Sequence, residues 1–458
     1  MPVDSQHPRY KSREHQWAKC RDAYEGEDAI KEAGEKYLPR LKGQDNDDYS
    51  SYKRRALFYS ITSKSVSALV GMATSKAPKI EYPESMLEYF NGSRVIQFSE
   101  VYSMVLTEVL LQSRCAILVD MQTDGSPVPA VYQAEDIINW RLDEAGELVL
   151  VVLREFVDIV VDEYAVEIAC QYRELRLTDG VYTQTLRNEK SEELQVFTPE
   201  IRGKTLDYIP FFVVNPVGTG FADHKPLMLD IANINISHYM SSADLEHGRH
   251  FTGLPTPVVI GAESDSKLYI GSTKFLILPD KGADAKYLEF TGQGLQSLEK
   301  AMNEKQSLLA SLSARLLDNS SRGSEAADAV KLRYMSETAS LTTVVNSVSI
   351  ILNLAYSLIA VIKGDDAESF KLTLDTDFME TVIAAPEMQA LFDGFFKGAI
   401  SKETLVFNLR KGRRLDPLRT DKDELSSINP IVPAQPTQQV NEPKPADKAD
   451  SGKDTETL

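Results

Sequence analysis

Between Glu337 and Lys363 lie 25 residues without a single charge. A run of this length either crosses a bilayer or forms the central helix of a protein core. Thr338, Ser340, Thr342, Thr343, Asn346, Ser347, Ser349, Asn353, Tyr356 and Ser357 interrupt it with polar groups. Leu341, Val344, Val345, Val348, Ile351, Leu352, Ala355, Leu358, Ile359 and Ile362 recur at steps of three and four, which collects them on one side of a helix. Hydrocarbon surrounds a membrane span and calls for apolar residues all round it. The one-sided stripe therefore predicts a long helix packed on protein. The alternative is a membrane-associated structural protein anchored by residues 338–362.

A second patterned helix precedes this one. Over Leu295 to Leu317, the residues Leu295, Leu298, Met302, Lys305, Leu309, Leu312 and Leu316 form a heptad-like row broken only by Lys305, suited to lying along another helix. A polar loop, Asn319 to Glu325, separates the two. Upstream, Asp223 and Pro226 open a helix that should run to about His247, with Gly253, Pro255 and Pro257 ending it. Between these helices, short strands are predicted at Val258–Ile260, Leu268–Ile270, Phe275–Leu278 and Lys286–Phe290, punctuated by Gly261, Gly271 and a turn from Pro279 to Gly282. This β insertion of about 40 residues is too small to hold a core by itself, so it must pack on neighbours.

The first 222 residues read as an α+β body. Polar helices with Trp17, Ala23, Ala29 and Tyr37 as anchors lead through an acidic loop, Gln44 to Asp48, into one amphipathic helix from Tyr52 to Ala73 and another from about Gln97 to Gln112. Strands follow at Cys115–Met121, Val128–Tyr132, Glu147–Asp158, Glu163–Leu177, Tyr182–Leu186, Leu194–Phe197 and Phe211–Val214, with turns at Asp124-Gly125 and Asp179-Gly180. Past the long helix, a strand near Phe370 to Leu374 and two short helices to about Leu409 close the folded part. The stretch 419–458, rich in Pro, Gln, Lys, Asp and Glu, is expected to be disordered because it has too little apolar surface to offset its ordering entropy.

Composition narrows the function. The formal charge of −18 is opposite to that of proteins that grip phosphates through basic surfaces. It suits either plain solubility or a surface past which DNA slides without sticking. Three cysteines, Cys20, Cys115 and Cys170, are odd in number, far apart and at no zinc spacing, which suggests a reducing compartment. The polar opening, Met1 to Tyr10, argues against a secretory signal.

Catalytic signals are weak, and no catalytic, cofactor or metal site is expected. The sequence has no Walker loop, Gly218-Thr219-Gly220 lacks a strand–turn–helix context, and Gly292-Gln293-Gly294 reads as a helix start. His247 and His250, beside Glu246 and near His238, have the H-x-x-H spacing that can hold a metal on a continuing helix. Gly248, Gly253 and Pro255 suggest that the helix is already ending there, where His and Arg favour its dipole. The pairs Glu135-Asp136 and Asp365-Asp366 are sequence neighbours whose side chains point apart, and solvated loops are the expected account.

The order of segments, an α+β body, a helix, a small β insertion, a heptad-like helix, a polar loop and a long helix, resembles the portal (head–tail connector) proteins of tailed bacteriophages. Local strings resemble a portal-like branch first catalogued as a domain of unknown function. They are Gly26-Glu27-Asp28 with Tyr37-Leu38-Pro39-Arg40-Leu41, Tyr52 through Gly71 ahead of Lys76-Ala77-Pro78, and Ala134-Glu135-Asp136-Ile137-Ile138-Asn139-Trp140-Arg141. Further on come Ser241-Ser242-Ala243-Asp244-Leu245-Glu246-His247-Gly248 and Phe251-Thr252-Gly253-Leu254-Pro255-Thr256-Pro257. The likeness runs over roughly residues 7–415.

The resemblance implies a wing at 1–222, a first stem helix at 223–251, a clip at 252–293 and a second stem helix at 294–318. A tunnel loop and long wing helix would follow at 319–378, a short crown at 379–418 and a disordered tail at 419–458. It further implies a dodecameric ring at one capsid vertex of the virion, assembled in the host cytoplasm, through which double-stranded DNA is packaged and ejected. Its partners would be the terminase large subunit, a head–tail adaptor, and the major capsid and scaffolding proteins, with no membrane. Lys300, Lys305, Arg315, Arg322, Lys331 and Arg333 become candidate DNA-channel contacts, although Glu299, Glu304 and Asp318 can pair with some of them. Lys267, Tyr269, Lys274, Phe275, Asp280 and Lys281 become candidate partner-docking residues of the clip.

Overall fold

Helix α1 (Pro8–Glu25) begins where its sequence says it must. Proline at its first position has no N–H to leave unsatisfied, and His7 caps the turn by accepting from the Arg9 backbone N–H at 3.1 Å. The structure is a computed structural model that describes residues 2–92, 96–122, 125–253, 256–260, 284–288, 293–317, 327–376, 378, 385–412, 414–416 and 419–427. The chain divides into two units, Met1–Phe378 and Met379–Leu458.

In the first unit α2 (Glu27–Glu32), α3 (Asn46–Arg55) and α4 (Ile61–Ala73) follow α1. The sequence predicts a single helix over Tyr52–Ala73; the structure has two, and α3 starts inside the stretch expected as a loop, capped by Asp45. Tertiary hydrogen bonds hold the break open. The Leu57 N–H donates to Ser242 Oγ at 2.9 Å, Asn235 Nδ2 donates to the Tyr59 carbonyl at 2.9 Å, and Asn235 Oδ1 accepts from the Thr62 N–H at 3.2 Å. Side chains about 180 residues away supply partners that a continuous helix would have found locally.

After β1 (Lys79–Glu81), α5 (Glu88–Asn91) and α6 (Phe98–Gln112), the chain becomes β-rich: β2 (Cys115–Met121), β3 (Pro127–Gln133), β4 (Ile137–Leu142), β5 (Leu148–Val160), β6 (Val166–Thr178), β7 (Val181–Asn188), β8 (Glu193–Phe197), β9 (Glu200–Ile201), β10 (Lys204–Thr205), β11 (Phe211–Asn215) and β12 (Gly218–Thr219). They form two main antiparallel sheets, ordered β12-β11-β2-β3 and β4-β5-β6-β7-β8. The predicted strands are all present among these; β1, β4 and the two-residue strands β9, β10 and β12 are additional.

Then come α7 (Leu229–Gly253), the antiparallel pair β13 (Thr256–Ile260) and β14 (Asp284–Leu288), α8 (Gln293–Leu317), α9 (Ala327–Lys363) and β15 (Lys371–Thr373), which returns to pair with β1. The strands expected at 268–270 and 275–278 lie outside the described residues. Helix α9 is the spine of the core and packs on α6, β2, β3 and β11. Leu341, Val344, Val345, Val348, Ile351, Leu352, Ala355, Leu358 and Ile359 are buried, as the stripe requires, and Ile350 and Leu354 on the other side are exposed. Tyr356 is buried among Phe98, Phe370 and Phe90 at ring-centroid distances of 5.2, 5.4 and 6.2 Å.

The second unit contains α10 (Ala385–Phe396), α11 (Lys402–Lys411) and α12 (Asp421–Ser427). Helix α12 falls at the start of the stretch expected to be disordered. A reciprocal cap accounts for it: the Asp423 N–H donates to Thr420 Oγ1 at 3.2 Å and the Thr420 N–H donates to Asp423 Oδ2 at 3.1 Å. The rest of the tail, 428–458, lies outside the described residues.

Candidate functional site: the paired helices and their base

Helices α7 and α8 lie side by side and antiparallel, because Gly248 meets Leu295 while Ser241 meets Lys305. Leu309 on the seam is fully buried, and Leu312 packs on the same core. Lys305, the one break in the apolar row, completes the seam by another means. Its Nζ donates to the Ser237 carbonyl at 3.1 Å and to Ser241 Oγ at 2.6 Å. The ammonium thus reaches across to α7, and its aliphatic stem can follow the apolar row. Burial, helped by Lys305, lowers the pKa of neighbouring His238 and favours a neutral ring.

The sequence suggests that α7 ends near His247; in the structure it continues through Gly248 and His250 to Gly253. The glycine serves close approach and not termination. A Cβ at Gly248 would lie 2.4 Å from Leu295 Cδ2, so the missing side chain lets the far ends of the two helices touch. On the outer side Arg249 bridges Glu246 at 2.8 Å and Glu299 at 2.7 Å, tying the pair together across its rim. Among the described residues no three His, Cys, Asp or Glu side chains converge as a metal-ligand group.

Close to this same end the pair is also fastened to the body. Tyr52 Oη donates to Asp244 Oδ1 at 2.6 Å, Arg55 Nη2 lies 3.1 Å from His247 Nδ1, and His247 sits edge-on to the Tyr52 ring. Burial, Arg55 and His250 lower the pKa of His247. With the Asn235 and Ser242 bonds to the α3–α4 break, these contacts join the string from Tyr52 to Gly71 to the string from Ser241 to Gly248.

A second junction docks α1 on the sheets. Arg21 grips Glu108 through Nη1 and Nη2 at 2.9 and 2.6 Å and Glu135 through Nε and Nη2 at 3.1 and 3.2 Å. Gln112 Nε2 donates to Glu135 Oε1 at 2.9 Å and Tyr10 Oη to the Glu135 carbonyl at 2.8 Å. Glu135 and Asp136 are therefore not a solvated loop; they are part of a half-buried ionic cluster. Burial pushes the Asp136 carboxyl up to about 6, with Arg154 opposing and Glu135 adding to the rise.

A folded-state value raised from 3.8 to about 6 means that the stability from this group is complete below 3.8 and lost as pH rises through 6. Asp136→Asn is accordingly expected to match wild type near pH 4 and to exceed it by about 2 kcal/mol at pH 7.5 in urea titrations. Arg154 keeps a partner in the variant, since Nη2 also donates to the Glu135 carbonyl at 3.0 Å.

Beside this cluster Arg114, only 3% exposed, faces the rings of Trp140, Trp17 and Phe221 at 4.8, 5.0 and 5.9 Å. Burial pulls it down to about 10, with Asp223 opposing and Arg9 and Arg13 adding to the fall. No motif marks Arg114 in the sequence, because its ring partners come from α1, β4 and the turn after β12.

The candidate DNA contacts fall in three groups. Lys300 is exposed on α8, next to Glu299 and one turn from Glu304, on a shallow outer surface with Gln296, Asn303 and Ser307. Lys305 is engaged with α7, as above. Arg315 lies on α8 and Lys331 and Arg333 on the first turns of α9, with side chains outside the described set, and Arg322 lies outside the described residues. The docking candidates Lys267, Tyr269, Lys274, Phe275, Asp280 and Lys281 also lie outside the described residues.

Residues 226–361 match the model of a family described as a domain of unknown function, DUF4055. No curated protein matches the chain. Among solved structures, it is similar to a chain from the neck of an empty gene transfer agent particle computed with C6 symmetry. That match has a TM-score of 0.38 and 13% identity, and covers 81% of this chain and 96% of the other. A chain from the virion of a native gene transfer agent particle gives 0.37 and 13%, covering 83% and 98%. A chain from the neck of the native particle, computed with C12 symmetry, gives 0.38 and 14%, covering 81% and 95%.

Proposed function

We propose that this chain is a portal protein of a tailed-phage-type particle, a structural subunit that closes into a ring and forms the DNA conduit at one capsid vertex. The observation that carries the reading is the antiparallel pair α7–α8, rooted in an α+β body and interrupted at its far end by a small β element. In this reading α7 and α8 are the stem, β13–β14 belong to the clip, residues 1–222 are the wing, and α9 is the long wing helix behind the tunnel loop at 319–325. The second unit supplies a short crown.

The mechanics follow from charge and shape. Twelve copies at −18 each carry about −216 formal charges before counterions, a field that repels phosphate wherever it lines the channel. DNA then slides instead of adhering, and exposed cations such as Lys300 give at most local, sequence-independent contacts. No Walker loop is present in the sequence, so the work of packaging falls to a partner motor, the terminase large subunit, docking at the clip together with a head–tail adaptor. The major capsid and scaffolding proteins would set the ring in its vertex.

Negative-stain microscopy of the purified protein tests the reading directly. The expected result is a turbine-shaped annulus with a central hole; a monomer under every assembly condition overturns it. Deleting residues 254–290 is expected to leave rings intact and to abolish docking of motor and adaptor. Normal packaging by that variant refutes the assignment.

A further inference from the structure

Strands β5 and β6 outrun their neighbours. Strand β4 pairs with β5 only as far as Leu153, and β7 pairs with β6 only from Gln171, while β5 and β6 continue together from Phe156↔Cys170 to Val160↔Val166. The projecting ribbon is well made at its tip, where Asp162 Oδ1 accepts from the Tyr164 and Ala165 N–H groups at 2.8 Å each. Its side chains are nonetheless wrong for water. Phe156, Ile159 and Val166 are mostly exposed, Val160 is 72% exposed, Ile168 73% and Tyr164 89%. A two-stranded ribbon standing alone is marginal, and an apolar patch of this kind marks an interaction site. The ribbon is also acidic: residues 156–170 carry Asp158, Asp162, Glu163 and Glu167 and no Lys or Arg.

A complementary feature lies at the opposite end of the same strands. Leu142, Leu148, Ile209, Phe211, Phe221 and Leu354 line a groove of about 500 Å³, with Glu147 and Asp207 on its margin. Just beyond its Phe221 end three guanidinium groups surround one carboxylate, and of the three Arg114 is buried, Arg13 is paired and Arg9 is exposed. Arg9 Nη1 donates to the Phe221 carbonyl at 3.4 Å, Arg114 lies 5.9 Å from the Phe221 ring, and Arg13 pairs with Asp223 at 2.8 Å.

We propose that the β5–β6 tip docks in this groove on a second copy of the chain, its carboxylates meeting the exposed Arg9 beyond the Phe221 end. The inference rests on the ring-forming reading above and names the contact that would close the ring. Two observations select this occupant. The tip cannot fill its own groove, because Leu148 and Val160 stand roughly 40 Å apart along one strand at about 3.3 Å per residue. Tip-to-tip pairing would bring four carboxylates against four more. What remains is a heterologous contact, the kind that builds a ring when its rotation closes.

The test uses the full chain in a Cys170→Ser background, since Cys20 and Cys115 are buried. With Leu142→Cys and Tyr164→Cys in one chain, oxidation should give a ladder of dimers, trimers and higher species on a denaturing gel. Dimers as the main product of Tyr164→Cys alone would show two-fold pairing and overturn the proposal. In parallel, Glu163→Arg should lower ring yield at least tenfold, with Arg9→Glu in the same chain restoring most of it. An unchanged ring yield in Glu163→Arg and in Phe156→Ser/Val160→Ser means that something other than a second copy covers the ribbon, and it sinks this inference alone. Absence of rings from wild type sinks the functional reading and this contact with it.

Discussion

Arg21→Met is expected to destabilise the body by about 3–5 kcal/mol, as breaking a buried ion pair from one side does. The reason lies in what stays behind. Glu108, whose side chain is only 8% exposed, and Glu135, at 16%, would face each other without the guanidinium that now bridges them. Even with Arg21 in place, burial holds the Glu108 carboxyl above its ordinary value. Without Arg21 it rises further. A carboxyl raised in the folded state contributes its full stability below the unfolded value near 4.5 and loses it as pH climbs. The deficit of Arg21→Met should therefore be small at pH 4.5 and largest above pH 7, which urea titrations at the two pH values measure. Adding Glu108→Gln and Glu135→Gln removes the stranded charges and should recover most of the loss. A deficit below 1 kcal/mol that ignores pH would mean that the cluster does not hold α1 on the sheets.

The parts of the fold that could be read from the sequence are those governed by local period. Helix α9 and strands β2, β5 and β6 announce themselves because one face or both are apolar over many residues. Asp179-Gly180 marks a two-residue hairpin because both residues adopt positive φ, 50° and 74°, which the turn between β6 and β7 demands. The seam of α8 was likewise visible, down to the position of its polar break.

What the sequence concealed is the work of distant partners. The α3–α4 break depends on Asn235 and Ser242, and the ionic cluster depends on Arg21, which lies over 80 residues from Glu108 and over 110 from Glu135. Glu135 and Asp136 look like any solvated acidic pair until α1 folds over them. Lys305 reads in the sequence as a break in the seam and a candidate DNA contact because its acceptor is not local; the Ser237 carbonyl, 68 residues away, accepts a hydrogen bond from it. Gly248 looked like a helix stop because only the packing of α8 explains it otherwise. In each case composition was legible and pairing was not.

Adjacent residues of α9 separate the packed helix from the membrane span. Thr338–Lys363 is long and apolar enough to cross a bilayer, yet Ile351 is fully buried against the body while Ile350 is 49% exposed. A lysine at 351 would place an ammonium among Val348, Leu352 and Ala355, so Ile351→Lys is expected to prevent folding, a loss above about 4 kcal/mol. A lysine at 350 can reach water along its own stem, and Ile350→Lys should leave the thermal midpoint of the monomer within a few degrees of wild type. A span in hydrocarbon has no such asymmetry, since lipid meets both positions near the middle of the helix and a charge at either costs about 2.5–3.5 kcal/mol. Thermal unfolding of both variants, alongside flotation with lipid vesicles, reads out the difference. Equal damage at 350 and 351, with wild type floating, would establish the anchor; a folded Ile350→Lys beside an unfolded Ile351→Lys fixes the helix inside the protein.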